Sequence, residues 1–149
     1  MTDDNDWVHH PKHYQDASGY ECIRFTERMN CPNLANAFRY VWRAGKKWND
    51  REDLNKAVFY IDRETTLRKE WNRPLSYDLE AGRPIGHHPE DDEMFSDFVD
   101  KSLAQGDRLR VIALSSLWAA DMFAAGDSTL GLSKGYVGNM IDRLSEEKE

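Results

Sequence analysis

Cysteine is scarce in this chain: Cys22 and Cys31, nine residues apart, are the only two in 149 residues. No Cys-x-x-Cys occurs, so neither a disulfide framework nor a cysteine zinc site is signalled. No apolar run nears the roughly 20 residues that a membrane helix needs. The first six residues, Met1 to Asp6, are acidic and polar, which is not the pattern of a signal peptide. Positive charge is in deficit, with 20 Lys and Arg against 27 Asp and Glu. Nonspecific binding to duplex nucleic acid needs many phosphate contacts, and this balance argues against it. The glycine-rich phosphate loop, the dinucleotide fingerprint Gly-x-Gly-x-x-Gly and the nucleophile elbow Gly-x-Ser-x-Gly are all missing. No run of β-branched residues alternates with period two. The expectation is a soluble, intracellular protein that keeps off membranes.

What is present is a chain of one domain's length, with an aromatic share of 11% that is too rich for disorder. The charge is uneven. Residues 1–70 hold 12 basic and 12 acidic residues, whereas residues 71–149 hold 8 and 15 and carry the whole net charge of −7. Between Arg39 and Lys47 stand Arg39, Arg43, Lys46 and Lys47 with no acid among them. A compact cationic spot on an acidic protein suits a small anion. The plainer alternative is a solvated helix end, since Lys46 and Lys47 near a C-terminus favour the helix dipole whatever they bind.

The periodicity predicts an all-α fold of five or six helices in a compact bundle. Ser18 is a candidate N-cap for a first helix running to about Asn30. Pro32 suits the first turn of a second helix ending near Arg43, with Gly45 beyond it. Asp50 to Asp53 resembles a capping box, and Leu54, Ala57, Val58, Ile61 and Thr65 then mark one face of a third helix to about Glu70. Pro74, Gly82, Pro84, Gly86 and Pro89 break any period, which predicts a long loop around residues 71–90. Helical spacing returns with Met94, Phe95, Phe98, Val99 and Leu103. A segment from Leu109 to Phe123 is apolar nearly all round, which predicts a buried central helix or an oligomer interface. Gly126, Gly131 and Gly135 are expected to lead into a last helix carrying Val137, Met140, Ile141 and Leu144. The organisation expected is a helical region over 1–70, a linker over 71–93, and a C-terminal helical region over 94–149. This last region either packs in the same domain or forms an interface between copies.

One constellation stands out. Asn36, Arg39, Tyr40 and Arg43 fall at i, i+3, i+4 and i+7, so they share a helix face. Asp53, Lys56, Tyr60 and Glu64 form a polar and aromatic stripe on the third helix. Facing each other, the two stripes would offer guanidinium, ammonium, amide and phenol groups to one cleft. Guanidinium groups grip phosphate through paired, charge-assisted hydrogen bonds worth about 1.5–3 kcal/mol each. The same pattern also suits a structural role, with Tyr40 and Tyr60 at the core edge and Asp53 capping its helix and pairing with a cation. The leading segment His10-Pro11-Lys12-His13-Tyr14 is dense in groups that bind metal or donate to phosphate. No companion cysteine or second histidine pair at helical spacing accompanies it, and His87 and His88 lie in an acidic loop, so no metal site is expected.

The ordered set His10-Pro11-x-His13-Tyr14, Glu21, Asn36-x-x-Arg39-Tyr40-x-x-Arg43-x-Gly45-x-Lys47 and Glu52-Asp53-Leu54-x-Lys56-Ala57-x-x-Tyr60 resembles a small phage-encoded helical family. That family is usually catalogued as a domain of unknown function, and its characterised member is the early-gene nucleotide kinase of a T-odd coliphage. The resemblance covers about residues 8–64. It departs from the family at Ala35, where Gly is usual, and at Arg39, where Lys is usual; charge is kept, but the two cations grip phosphate differently.

The resemblance implies a phage protein in the host cytoplasm that moves a phosphoryl group from a nucleoside triphosphate to a deoxynucleoside monophosphate without a phosphate loop. On this reading Arg39, Arg43 and Lys47 hold the phosphates with Lys56 opposite, and His10 and His13 donate to phosphate or shuttle a proton. Asp53 orients a cation or holds magnesium through water. Tyr14, Asn36, Tyr40 and Tyr60 contact the substrate. No resident cofactor is implied; magnesium would enter with the nucleotide. Two other readings stand beside it. One is a non-catalytic protein, either a nucleotide sponge or an inhibitor of a host protein. The other is an all-α nucleotide pyrophosphatase, for which the usual Glu-x-x-Glu spacing is missing. A homo-oligomer is expected from the apolar segment after Leu109.

Overall fold

The computed structural model describes residues 16–44, 50–71, 77–78, 83–84, 88–122 and 127–147. Six helices appear there: α1 (Ile23–Thr26), α2 (Pro32–Arg43), α3 (Asp50–Trp71), α4 (Pro89–Ala104), α5 (Arg108–Met122) and α6 (Asp127–Glu147). The fold is all-α. Within the stretch between α3 and α4, β1 (Tyr77–Asp78) and β2 (Arg83–Pro84) form a two-residue antiparallel ladder, pairing Tyr77 with Pro84 and Asp78 with Arg83.

α2 packs on α3, α3 on α6, α6 on α5, and α5 back on α2, so these four helices close a ring around one core. α1 lies on α2 and α4 on α5. At the centre sits Phe25, fully buried, whose ring meets those of Tyr20, Phe38, Trp42, Phe95, Phe98 and Trp118. Trp42 stacks on Phe98 at 4.7 Å and Phe95 on Trp118 at 4.8 Å between ring centres. Offset and edge contacts of this kind add to the area each ring buries. Polar bonds hold α4 against this block: Arg28 to Asp91 at 2.8 Å and the Trp118 indole N–H to Asp92 at 2.9 Å.

α2 starts where Pro32 fills its first helical position. Its N-cap, Cys31, supplies no side-chain bond. Asp121 of α5, fully buried, does this work from across the core, accepting the N–H groups of Asn30 at 2.8 Å and Cys31 at 2.7 Å. A carboxylate at a helix N-terminus meets both unpaired donors and the positive end of the dipole. α3 has the matching charge order, acids Asp50, Glu52 and Asp53 in its first turn and Arg68 and Lys69 in its last.

Three elements depart from the sequence reading. The first helix is four residues long: it starts only at Ile23, since Gly19 at φ 88° breaks the helical path after Ser18, and it ends at Thr26. Ser18 is no helix cap; its N–H donates to the Asp16 carboxylate at 3.2 Å, inside a turn. α4 begins at Pro89, with Glu90, Asp91 and Asp92 in its first turn, earlier than apolar spacing becomes legible. α6 begins at Asp127, so Gly131 and Gly135 lie inside it rather than before it. The all-round apolar segment is a central helix: α5 is covered by α2, α4 and α6, with Val111, Ala113, Leu114, Leu117, Trp118 and Ala120 buried.

Candidate functional site

On α2, Asn36, Arg39, Tyr40 and Arg43 occupy the face turned from Leu34, Ala37, Phe38, Val41 and Trp42, which are buried. None of the four is fully exposed. α3 brings up Asp53, Lys56 and Tyr60. Tyr40 and Tyr60 stack nearly parallel, 5.9 Å between centres and 11° between planes. Around the Tyr40 ring stand three cations, each 5.5 Å from its centre: the Arg39 and Arg43 guanidinium carbons and the Lys56 ammonium. Such spacing lets the ring quadrupole offset part of their mutual repulsion.

Each cation has a steering partner. The Arg43 Nε donates to Asp53 Oδ2 at 3.2 Å, with the Asp53 side chain only 5% exposed. The Arg39 Nη2 donates to the Asn36 amide oxygen at 2.9 Å, while its buried Nε has no partner among the described residues. Lys56 pairs with Glu52 at 3.0 Å, one helical turn away. That hydrogen bond, and then the carboxylate's charge, raise the Lys56 pKa, with smaller help from Tyr40 and Asp53. Three positive groups gathered around one ring favour an anion with several oxygens.

Asn36, Arg39, Tyr40, Arg43, Asp53, Lys56 and Tyr60 are therefore gathered on one face. His10, His13, Tyr14 and Lys47 lie outside the described residues. Asp53 is not the cap of α3, which starts three residues earlier; it serves Arg43 instead. The sequence reading contained Glu52 but did not pair it with Lys56; their i, i+4 spacing was the available signal. It also passed over Phe59, an aromatic residue placed off the apolar face of α3. Phe59 is 58% exposed, and its ring meets Tyr60 edge-on at 5.2 Å.

Two other polar clusters have structural roles. Arg110, buried, donates to Asp16 at 2.6 Å, to the Trp42 carbonyl at 2.7 Å and to Asp107, closing the end of the bundle beside a cavity of about 450 Å³. Glu64, buried, accepts from Arg68 at 2.8 Å and from Asn33 at 3.3 Å. Burial, then a hydrogen bond to Glu64, push the Cys31 thiol up to about 12, so it stays protonated at neutral pH and is no nucleophile. Among the described residues, no three His, Cys, Asp or Glu side chains are grouped to hold a metal ion. No helix there is long and apolar enough to cross a membrane.

Residues 8–62 match the model of a family described as a protein of unknown function (DUF3310). The matched stretch contains every residue of the α2–α3 cluster, and also His10, His13, Tyr14 and Lys47. Over that stretch the chain is similar to the family; α4, α5 and α6 lie beyond it. No curated protein matches the chain. No solved structure matches it.

Proposed function

We propose that the α2–α3 face binds deoxynucleotides and that the protein is a nucleotide kinase. One observation carries the reading: Arg39, Arg43 and Lys56 converge on a single aromatic ring, that of Tyr40, at 5.5 Å each. Phosphoryl transfer requires positioning and charge neutralisation more than covalent help from the protein. In the reaction, an oxygen of a deoxynucleoside monophosphate attacks the γ-phosphorus of a nucleoside triphosphate. The bond from that phosphorus to the bridging oxygen breaks, and two diphosphates result. Arg39 and Lys56 hold phosphate oxygens, and Arg43, fixed by Asp53, spreads charge over the transferring group. Magnesium arriving with the triphosphate would add to that neutralisation. His10, His13 and Lys47 join the reading on their place in the sequence, and the phage resemblance adds host cytoplasm as its setting.

The test is incubation of the purified protein with each deoxynucleoside monophosphate and a mixture of triphosphates, with and without magnesium. Products are resolved by anion exchange. New diphosphate is expected, and Arg39→Ala should reduce it at least tenfold, in line with the loss of a charge-assisted hydrogen bond. Because Arg39 has its described side-chain bond within its own helix, circular dichroism should be unchanged. Monophosphate and pyrophosphate released from triphosphate would replace this reading with a pyrophosphatase. Tight binding without turnover would replace it with a nucleotide-holding protein.

A further inference from the structure

Beside the cationic cluster, the outer face of α3 carries a groove of about 420 Å³ lined by Arg51, Glu52, Asn55, Lys56 and Phe59. Four of the lining residues are polar. The fifth, Phe59, is 58% exposed and contributes little to the core. We infer that Phe59 is the platform on which the nucleobase stacks, with Asn55 facing the base edge. The inference rests on the nucleotide reading of the adjacent cluster, and it assigns the half of the substrate that the cluster does not hold.

Three features support it. First, the groove and the cation cluster share a residue. Lys56 lines the groove and also stands 5.5 Å from the Tyr40 ring centre, so a phosphate held there leaves its nucleoside beside Phe59. Second, the aromatic run is continuous. Tyr40 stacks on Tyr60, and Tyr60 meets Phe59 edge-on. Tyr40 and Tyr60 are half-buried, whereas Phe59 is 58% exposed, so Phe59 is the ring of that run most open to a base. Third, Asn55 stands one turn before Phe59 and is exposed, offering an amide donor and acceptor to a base edge. The Lys56–Glu52 pair between the two halves is about half exposed on both sides. Surface pairs of that kind are weak, so a phosphate can displace Glu52 from the ammonium.

Equilibrium binding to wild type, Phe59→Ala, Phe59→Trp and Arg39→Ala tests the inference. The probes are deoxynucleoside monophosphates and, as an anion without a base, inorganic pyrophosphate. Base stacking on an aromatic side chain corresponds to about tenfold or more in affinity. Phe59→Ala should weaken every monophosphate by that factor and leave pyrophosphate unchanged, and Phe59→Trp should restore the loss. Phe59→Ala is expected to fold, since the ring is mostly exposed and alanine favours a helix. Unchanged monophosphate binding in Phe59→Ala, with binding lost in Arg39→Ala, would overturn the stacking role and leave the phosphate site standing. Absence of binding to any probe by wild type would overturn both.

Discussion

Arg43 ties the candidate chemistry to the fold through one bond. Its partner Asp53 has a side chain only 5% exposed, so removing the guanidinium alone leaves a buried carboxylate without that partner. Arg43→Ala should therefore cost about 3–5 kcal/mol of stability, read from urea unfolding. Replacing both partners by apolar residues of similar size, Arg43→Met with Asp53→Leu, should recover most of that loss. The double variant should remain unable to bind nucleotide. Recovered binding in the double variant would remove Arg43 from the site. The spacing of Asn36, Arg39, Tyr40 and Arg43 was legible in the sequence, because one helix determines it. That Asp53 pairs with a cation was read from the sequence, but not that the cation is Arg43, and the Asp121–Cys31 contact was not read at all, because each joins two elements whose relative placement no local pattern encodes.

Pro32 reads as a helix start, whereas Pro89, in the same first-turn position of α4, reads as part of a loop. Pro32 marks the start of α2 from its own chemistry. α1 is cut short by the positive φ of Gly19, and a glycine does not announce which conformation it will take. In α6 the glycines misled in the other direction. Gly131, Gly135 and Gly138 are helical, and a methyl group built on any of them meets nothing within 4 Å. Gly131 and Gly135 are exposed. Alanine at these two positions should stabilise the protein by about 0.5–1 kcal/mol each, since it narrows the unfolded ensemble without new contacts. Thermal unfolding of the single and double variants checks this. Destabilisation would mean that α6 leaves helical geometry there.

At the scale of the molecule, the ring of helices interleaves the two halves of the chain. α2 and α3 come from the first half, α5 and α6 from the second, and each contacts one of the other pair. Apolar faces declare themselves in a sequence, but they do not name their partners; the pairing was therefore not legible. A fragment of residues 1–70 carries the whole α2–α3 cluster yet lacks Phe95, Phe98, Leu114, Leu117, Trp118, Leu130 and Val137 of the core. It should fail to fold alone and give a narrow amide proton spectrum, and adding residues 71–149 as a second chain should restore dispersion. A well-dispersed spectrum from the fragment alone would show that the cluster stands without α5 and α6.

The place of Phe25 also sets a timetable for synthesis. Its ring partners include Phe95, Phe98 and Trp118, the last of them 93 residues further along the chain. At ordinary ribosomal speeds that interval is about 5–20 s. Through it, the centre of the future core leaves the ribosome with Tyr20, Phe38 and Trp42 but without Phe95, Phe98 and Trp118, the other rings that will enclose it. The nascent chain thus spends several seconds as a client for whatever shields exposed aromatics in the producing cell, and its yield should depend on that shelter more than the stability of the finished fold would suggest.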